Sequence, residues 1–454
     1  MTQAPKSEKP QNDDTLSKLI GHFGRWQLIV FSMIFLIKMS SAWIQMAILF
    51  LTPYSTFKCV EFSTNSDGLE SWSNSTTADE VKVELSTCYE GCVRYEHDTS
   101  PFSSTIVSEW DLVCERRWMA SFTQTLLQLG VLLGSVIFGF LSDRFGRKKT
   151  FLTSVALILI IGLAIPFSPD YWVFTTLRFF LGMATAGTMV VSFVLIVEIS
   201  SPKYREMLGC LYHIPFVFGH MLIPLFAYLF TSWKSYSLAL VIPQLVYLMY
   251  FVYLPESPRW LASVGKVEEA TKIVTTAATM NNLPTSAIAE TMSALSADLL
   301  SRRRPRAHYA HILRGALLPR TLAVCFTWLS TGLMFFGFNQ YVSQTSSSPF
   351  VSTELAAVIQ LPAVLSSIWL IKRFGRRAVC VTSLFLAGAC VVSLGLVPDV
   401  FWLTATISTV GVLFGSFVAT VVYIYTSELY PTVVRNMGVG AASMCMRVGS
   451  MLAP

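Results

Sequence analysis

Eleven apolar stretches of about twenty residues each dominate this chain, near 26–50, 118–140, 150–167, 172–197, 207–230, 236–254, 320–342, 353–371, 378–397, 401–426 and 436–454. At 1.5 Å of rise per residue, a helix of that length crosses the roughly 30 Å hydrocarbon core of a bilayer. Inside that core every backbone N–H and C=O must be bonded, and a continuous apolar run achieves this as an α-helix. The predicted fold class is an all-α membrane protein with about eleven spans. Composition excludes the competing classes. Of 454 residues, 53% are hydrophobic and 13% are charged. Soluble domains run near 25% charged, and disordered chains need more charge and less apolar mass.

Charge distribution predicts orientation. With the N-terminus in the cytosol, 24 of the 33 Lys and Arg face inward and 6 face outward. The other three, Lys38, Arg178 and Arg447, fall within spans. This bias satisfies the positive-inside rule. The first fourteen residues are polar and lack the apolar core of a secretory signal, so the first span is expected to be a retained helix. The net charge of +6 is spread along inward loops and calls for no nucleic acid. The expected organisation is a cytosolic tail (1–25), an N-terminal bundle (26–254) holding an outer loop (51–117), a cytosolic loop (255–319) and a C-terminal bundle (320–454).

Cys59, Cys88, Cys92 and Cys114 all lie in the outer loop. In an oxidising compartment they imply two disulfides, with three connectivities open; zinc is the rival, but paired CxxC hooks are absent. Asn74-Ser75-Thr76 in the same loop is a glycosylation sequon.

Three segments recur at offsets of 229 or 230 residues. Asp143-Arg-Phe-Gly-Arg-Lys148 matches Lys372-Arg-Phe-Gly-Arg-Arg377 at 229 residues. The pair Glu198 and Arg205 matches Glu428 and Arg435 at 230, as GHMLIP (219–224) matches GSMLAP (449–454). Two similar bundles in one orientation are therefore expected, with substrate binding between them near the bilayer midplane. In this register the first bundle continues for about thirty residues that have no counterpart in the second. An incomplete gene model is the expected reason, a natural short isoform the alternative.

Gly139-Phe-Leu-Ser-Asp143-Arg144-Phe-Gly146-Arg147-Lys148 resembles the loop between the second and third spans of major facilitator transporters. Ser108-Glu-Trp-Asp-Leu-Val-Cys114, Leu254-Pro-Glu-Ser-Pro-Arg-Trp-Leu261 and Glu428-Leu-Tyr-Pro-Thr-Val-Val-Arg-Asn436 narrow the likeness. With them the chain is similar to the organic cation, organic anion and carnitine transporters, over about residues 20 to 454. The resemblance implies the major facilitator fold, normally two six-helix bundles, and secondary transport or uniport in the plasma membrane. It also implies that Gly139, Asp143, Arg144, Gly146, Arg147, Glu198, Arg205, Arg373, Glu428 and Arg435 act in gating. The glycines would make close turns and Asp143 would latch one conformation; Lys372 in its place should weaken the second latch.

An ionisable residue deep in a membrane is a functional candidate by default. Lys38 lies about twelve residues into the first span, or about 18 Å, and Arg447 about as deep in the eleventh. Arg178 is shallower, and its RFFLG setting suggests packing. The deepest charges are thus all positive, and a cavity holding Lys38 and Arg447 would attract a carboxylate. The resemblance sharpens this. Arg447 matches the eleventh-span arginine of anion and carnitine members, where cation members carry Asp. Anion members have a lysine after Leu-Pro-Ala in the eighth span, but Leu361-Pro-Ala363 is followed here by Val364. Phe335-Phe336-Gly337 replaces a Tyr-Tyr-Gly. Zwitterions bearing a carboxylate and an ammonium fit that mixed picture. Trp328, Phe335, Phe336, Asn339 and Gln340 of the seventh span, with Gln124 and Tyr212, complete the expected pocket. Their aromatic faces would hold an ammonium by about 0.5–2 kcal/mol of cation–π attraction. His213 and His220 share a helical face, more in keeping with packing than with a proton relay.

The expected function is transport of small organic ions by alternating access, favouring carboxylate-bearing zwitterions or anions. The alternatives are a cation carrier with a structural Arg447, and a non-transporting receptor or regulator on the same fold. Nothing indicates an enzyme, a metal or a cofactor, and the coupling ion is left open. The absence of GxxxxGK[ST] argues against an ATP-driven pump.

Overall fold

The computed structural model describes residues 12–53, 55–62, 86–89, 92–201, 204–301, 315, 317–345, 348–397, 400–430 and 435–453. Asn74 and the basic run Arg302–Arg306 lie outside them, as do the side chains of Arg205 and Arg435. Among the described residues, ten helices are long and apolar enough to cross a membrane. They are Arg25–Leu51, Cys114–Phe145, Arg147–Phe167, Tyr171–Ile199, Met207–Leu229, Trp233–Tyr253, Leu317–Ser343, Pro349–Phe374, Arg376–Leu396 and Trp402–Thr426, here spans one to ten. An eleventh helix, Arg435–Met451, has 17 residues and packs against the seventh and second spans.

Helix pairing follows the sequence repeat. The first span packs on the fifth and the seventh on the eleventh helix; the third packs on the fourth and the ninth on the tenth. The repeated glycines show why. A Cβ on Gly219 would sit 2.6 Å from the carbonyl oxygen of Met39, and one on Gly449 would sit 2.0 Å from that of Leu329. Each marks the point where a helix backbone meets its partner too closely for any side chain, which is how helices associate where lipid is as apolar as they are. The repeated loops carry Gly146 at φ +103° and Gly375 at φ +81°, backbone that glycine adopts without steric cost. Gly139, expected to serve a turn, lies inside the helix Arg117–Phe145, and a Cβ there would meet nothing within 4 Å. Gly146 makes the turn alone.

The face carrying the 51–117 loop adds a two-stranded ribbon to the otherwise all-α body. Strands β1 (Phe57–Phe62) and β2 (Cys92–His97) pair antiparallel, with Lys58 opposite Glu96 and their charges 2.8 Å apart. The disulfides are Cys59–Cys92, which joins the two strands, and Cys88–Cys114. The sequence stretch 108–114 fastens this loop to the spans beneath. Glu109 accepts from Lys234 Nζ at 2.7 Å, a bond that holds its carboxyl below the usual carboxylate range. Trp110 packs among Tyr171, Phe174 and Trp233, and Asp111 meets His97 Nε2 at 2.9 Å.

Among the described residues, the opposite face holds the short helices Asn12–Ile20, Pro258–Ser263, Val267–Met280 and Ile288–Ser301. The helix Val267–Met280 buries Ala270, Val274, Ala277 and Ala278 along one stripe, against which the N-terminal helix packs. Asn281 closes the joint: its Oδ1 accepts from Trp26 N at 3.1 Å, and its Nδ2 donates to Ile20 O at 2.7 Å. Residues 12–20 of the N-terminal segment thus pack onto this helical unit.

Candidate substrate site and charge clusters

A central cavity of about 80 Å³ lies between the two sets of helices. Its wall takes Lys38 and Gln45 from the first span and His213, Phe216 and Val217 from the fifth. Phe335, Phe336, Gln360 and Val364 come from the seventh and eighth spans; Ser416, Thr420 and Tyr423 come from the tenth; Arg447 comes from the eleventh helix. Both cations are nearly covered, with Lys38 5% and Arg447 7% exposed. No Asp or Glu among the described residues lines the cavity.

Each cation has a neutral partner. Lys38 Nζ lies 4.6 Å from the centre of the Tyr212 ring and 5.7 Å from that of Phe216. Arg447 Nη1 donates to Gln45 Oε1 at 3.2 Å. The Gln45 carbonyl in turn accepts from Gln124 Nε2 at 3.1 Å, and Gln124 Oε1 accepts from Arg178 Nη2 at 2.7 Å. A polar chain therefore runs from Arg178, deep in the first six spans, to Arg447. A second link joins the fifth and eighth spans, where Gln360 Nε2 donates to His220 Nδ1 at 3.0 Å.

The expected pocket residues divide. Phe335 and Phe336 line the cavity, and Tyr212 sits behind Lys38, its hydroxyl 2.6 Å from Ser192 Oγ. Gln124, Asn339 and Gln340 border a smaller void beside Gln45, about 10 Å³ and near the size of one water. Trp328 does not reach either. Its ring is fully buried, donates to Thr426 Oγ1 at 2.8 Å and packs 4.4 Å from Tyr423, so it backs the wall and does not form it. Gln45, Gln360 and Tyr423 carry no signal in a single sequence, because their importance comes from partners 79 to 402 residues away.

The halves meet on both sides of the cavity. Toward the loop face, Phe350 stacks on Phe50 at 5.4 Å and lies 5.3 Å from Phe102 and 5.9 Å from Tyr228. Toward the other face, Phe193 and His213 lie against Tyr423, at 6.3 and 5.9 Å. Ligand pockets for drug-sized solutes run from about 300 Å³ upward, so the cavity is contracted in this state.

At the far ends of the helices the repeated charges pair. Arg147 donates to Glu198 through Nη2 at 2.8 Å, to Asp143 through Nη1 at 3.0 Å and to the Ser142 carbonyl at 2.8 Å. Glu256 accepts from the backbone N–H groups of Arg147 and Lys148 at 2.9 and 3.0 Å, and Trp260 Nε1 donates to the Asp143 carbonyl at 3.0 Å. The segment after the sixth span thus docks on the first repeated loop. In the second copy Arg376 pairs with Glu428. Arg144 and Arg373, expected in these clusters, are exposed; Arg144 lies over Phe145 at 5.5 Å. The residue after the turn glycine makes the pair in both copies.

Repeated helical halves around a central cavity, closed at both ends by paired groups, define a transporter of the major facilitator class. The solved proton:xylose symporter XylE bound to 6-bromo-6-deoxy-D-glucose shares this fold, at TM-score 0.65 and 16% identity over 94% of this chain and 88% of that one. The sugar (and other) transporter family profile matches residues 70–454. The chain is 33% identical over 371 residues to the organic cation transporter protein of Drosophila melanogaster, covering 80% of this chain and 68% of that protein. It is 36% identical over 377 residues to the organic cation/carnitine transporter 2 of Mus musculus, covering 82% and 67%. The chain therefore belongs to the organic cation, organic anion and carnitine transporter family of the major facilitator superfamily, whose matched members are transporters and not enzymes. It spans about two thirds of the length of the curated relatives it matches.

Proposed function

We propose that this protein carries small organic ions across the plasma membrane by alternating access, and that it favours solutes bearing a carboxylate, zwitterions above all. One observation carries the reading: Lys38 and Arg447 face one cavity that no acidic side chain among the described residues lines. Two uncompensated cations in a low-dielectric site attract an anion strongly. The rings of Phe216, Phe335, Phe336 and Tyr423 supply apolar and π faces for the rest of the solute. The relatives named for organic cations and carnitine agree with a solute that carries both charges.

The first six spans and the later helices move as two bodies about this cavity. Arg147, Asp143 and Glu198 tie helices within the first half at the end away from the 51–117 loop, and Arg376 and Glu428 tie helices within the second, so that each half can move as a unit. That end faces the cytosol in this reading, which the Lys and Arg distribution supports. The two disulfides fit an outer loop in an oxidising compartment.

Uptake by cells expressing the chain tests the reading, with tetraethylammonium, carnitine and benzoate in parallel. Uptake of carnitine or benzoate, abolished in Arg447→Glu, is expected. Uptake of tetraethylammonium alone, insensitive to Arg447→Glu, overturns it and leaves Arg447 a structural residue.

A further inference from the structure

We infer that the side-chain amide of Gln45 occupies, in the empty carrier, the place on Arg447 that a substrate carboxylate takes. Binding is then an exchange, in which the carboxylate displaces the amide and releases a tie between the two halves. The inference rests on the reading of Arg447 given above and assigns Gln45 as the residue that guards access to it.

Three features support it. Gln45 is 1% exposed and belongs to the first span, whereas Arg447 belongs to the helix packed on the seventh span, so their 3.2 Å bond crosses between the halves. The backbone of Gln45 is anchored through Gln124 to Arg178, so the tie is fixed at its first-half end. The other end of its amide is loosely held: Gln45 Nε2 faces Met189 Sδ at 3.3 Å, and a thioether is a weak acceptor. The side chain can therefore swing away while its main chain stays in place.

The chemistry makes this tie a filter. A buried guanidinium left without an acceptor is strongly disfavoured. A carboxylate replaces the neutral amide oxygen with a stronger, bidentate acceptor, so its exchange runs downhill. A cation or a neutral amine brings no such acceptor and would leave the guanidinium bare. The contracted cavity of about 80 Å³ must also widen to take an organic solute, and release of the tie is the event that lets it widen.

The test uses the full chain in cells, with Ser416→Cys on the cavity wall as a reporter and the same chain with Ser416 intact as background. Labelling by a membrane-impermeant methanethiosulfonate, without substrate, reads opening. Gln45→Met, close in shape but without the oxygen, is expected to speed labelling about tenfold, the scale of one hydrogen bond to a charged group. Gln45→Glu is expected to slow labelling and to abolish carnitine uptake, because an ion pair replaces the displaceable bond. In Gln45→Met, carnitine and tetraethylammonium uptake should both rise at low concentration by a similar factor, because neither solute then has a tie to break. Should Gln45→Met fail to reach the surface, Gln45→Asn withdraws the amide by one methylene and is read the same way. Unchanged labelling in either variant, with carnitine uptake still lost in Arg447→Glu, overturns the tie and leaves the proposed function standing. Labelling that follows Gln45 in a protein that carries no carboxylate overturns the exchange together with the proposed substrate class.

Discussion

The two repeated charge pairs, Arg147–Glu198 and Arg376–Glu428, are equal in sequence and unequal in setting. Glu198 and Arg147 are 14% and 10% exposed, and four protein oxygens surround the guanidinium. Breaking such a buried pair costs about 3–5 kcal/mol. In Glu198→Gln the Ser142 carbonyl still accepts, but Asp143 is 78% exposed and compensates weakly, so about 2–3 kcal/mol is the expected loss. Glu428 and Arg376 are 40% and 30% exposed, and water screens them, so Glu428→Gln should cost under about 1 kcal/mol. Thermal unfolding of the two variants in detergent reads the difference. At about 2 °C per kcal/mol, Glu198→Gln should lower the midpoint by about 4–6 °C and Glu428→Gln by under about 2 °C. Equal shifts, or a larger one for Glu428→Gln, would refute the claim that burial decides the strength of each pair.

Further outcomes follow from other parts of the molecule. The disulfides close loops of 33 and 26 residues, so Cys59→Ser or Cys114→Ser should each cost about 3 kcal/mol, read as reduced surface expression. Gly449→Val should abolish folding outright, since even a Cβ would lie 2.0 Å from the Leu329 carbonyl, whereas Gly139→Ala, in open space, should be neutral or slightly stabilising; fluorescence-detected size exclusion separates them. The Lys234 bond depresses the Glu109 carboxyl, so its contribution is present above the unfolded pKa and is lost as pH falls through the lower folded value. Limited proteolysis of the outer loop should therefore rise on acidification, modestly because both groups are partly exposed, and Lys234→Ala should weaken that dependence, the Lys58–Glu96 pair of the same loop supplying the remainder.

Much of this was legible because membrane insertion imposes long-range order on a local pattern. Apolar run length marked the helices, and the offset between repeats paired them, down to glycines that meet carbonyls in equivalent places. The depth of Lys38 and Arg447 pointed to the cavity without any knowledge of packing. What escaped had a common cause. Gln45 and Gln360 are unremarkable letters whose roles come from Arg447 and His220, on helices far away in sequence. Arg376 was hidden beside Arg373 and Arg377 in a basic cluster, and only packing selects which of them meets Glu428. Trp328 looked like pocket wall because its helix faces the cavity, yet its own position turns toward the tenth span. The strands beside Cys59 and Cys92 are six residues each, too short for alternation to stand out among charged residues.

The buried cations also bear on energetics that no contact distance reports. A carrier that rocks about this cavity moves the membrane field past whatever charge the cavity holds. Each anion that binds lowers that charge by one, whereas a zwitterion leaves it unchanged; among the described residues the wall itself holds two basic and no acidic side chains. Moving one charge through the full field is worth about 2.3 kcal/mol per 100 mV. Voltage therefore weighs on the empty return stroke differently from the loaded one. A resting cell would slow whichever stroke carries more positive charge outward, and so would favour trading one anion for another over releasing one and returning empty.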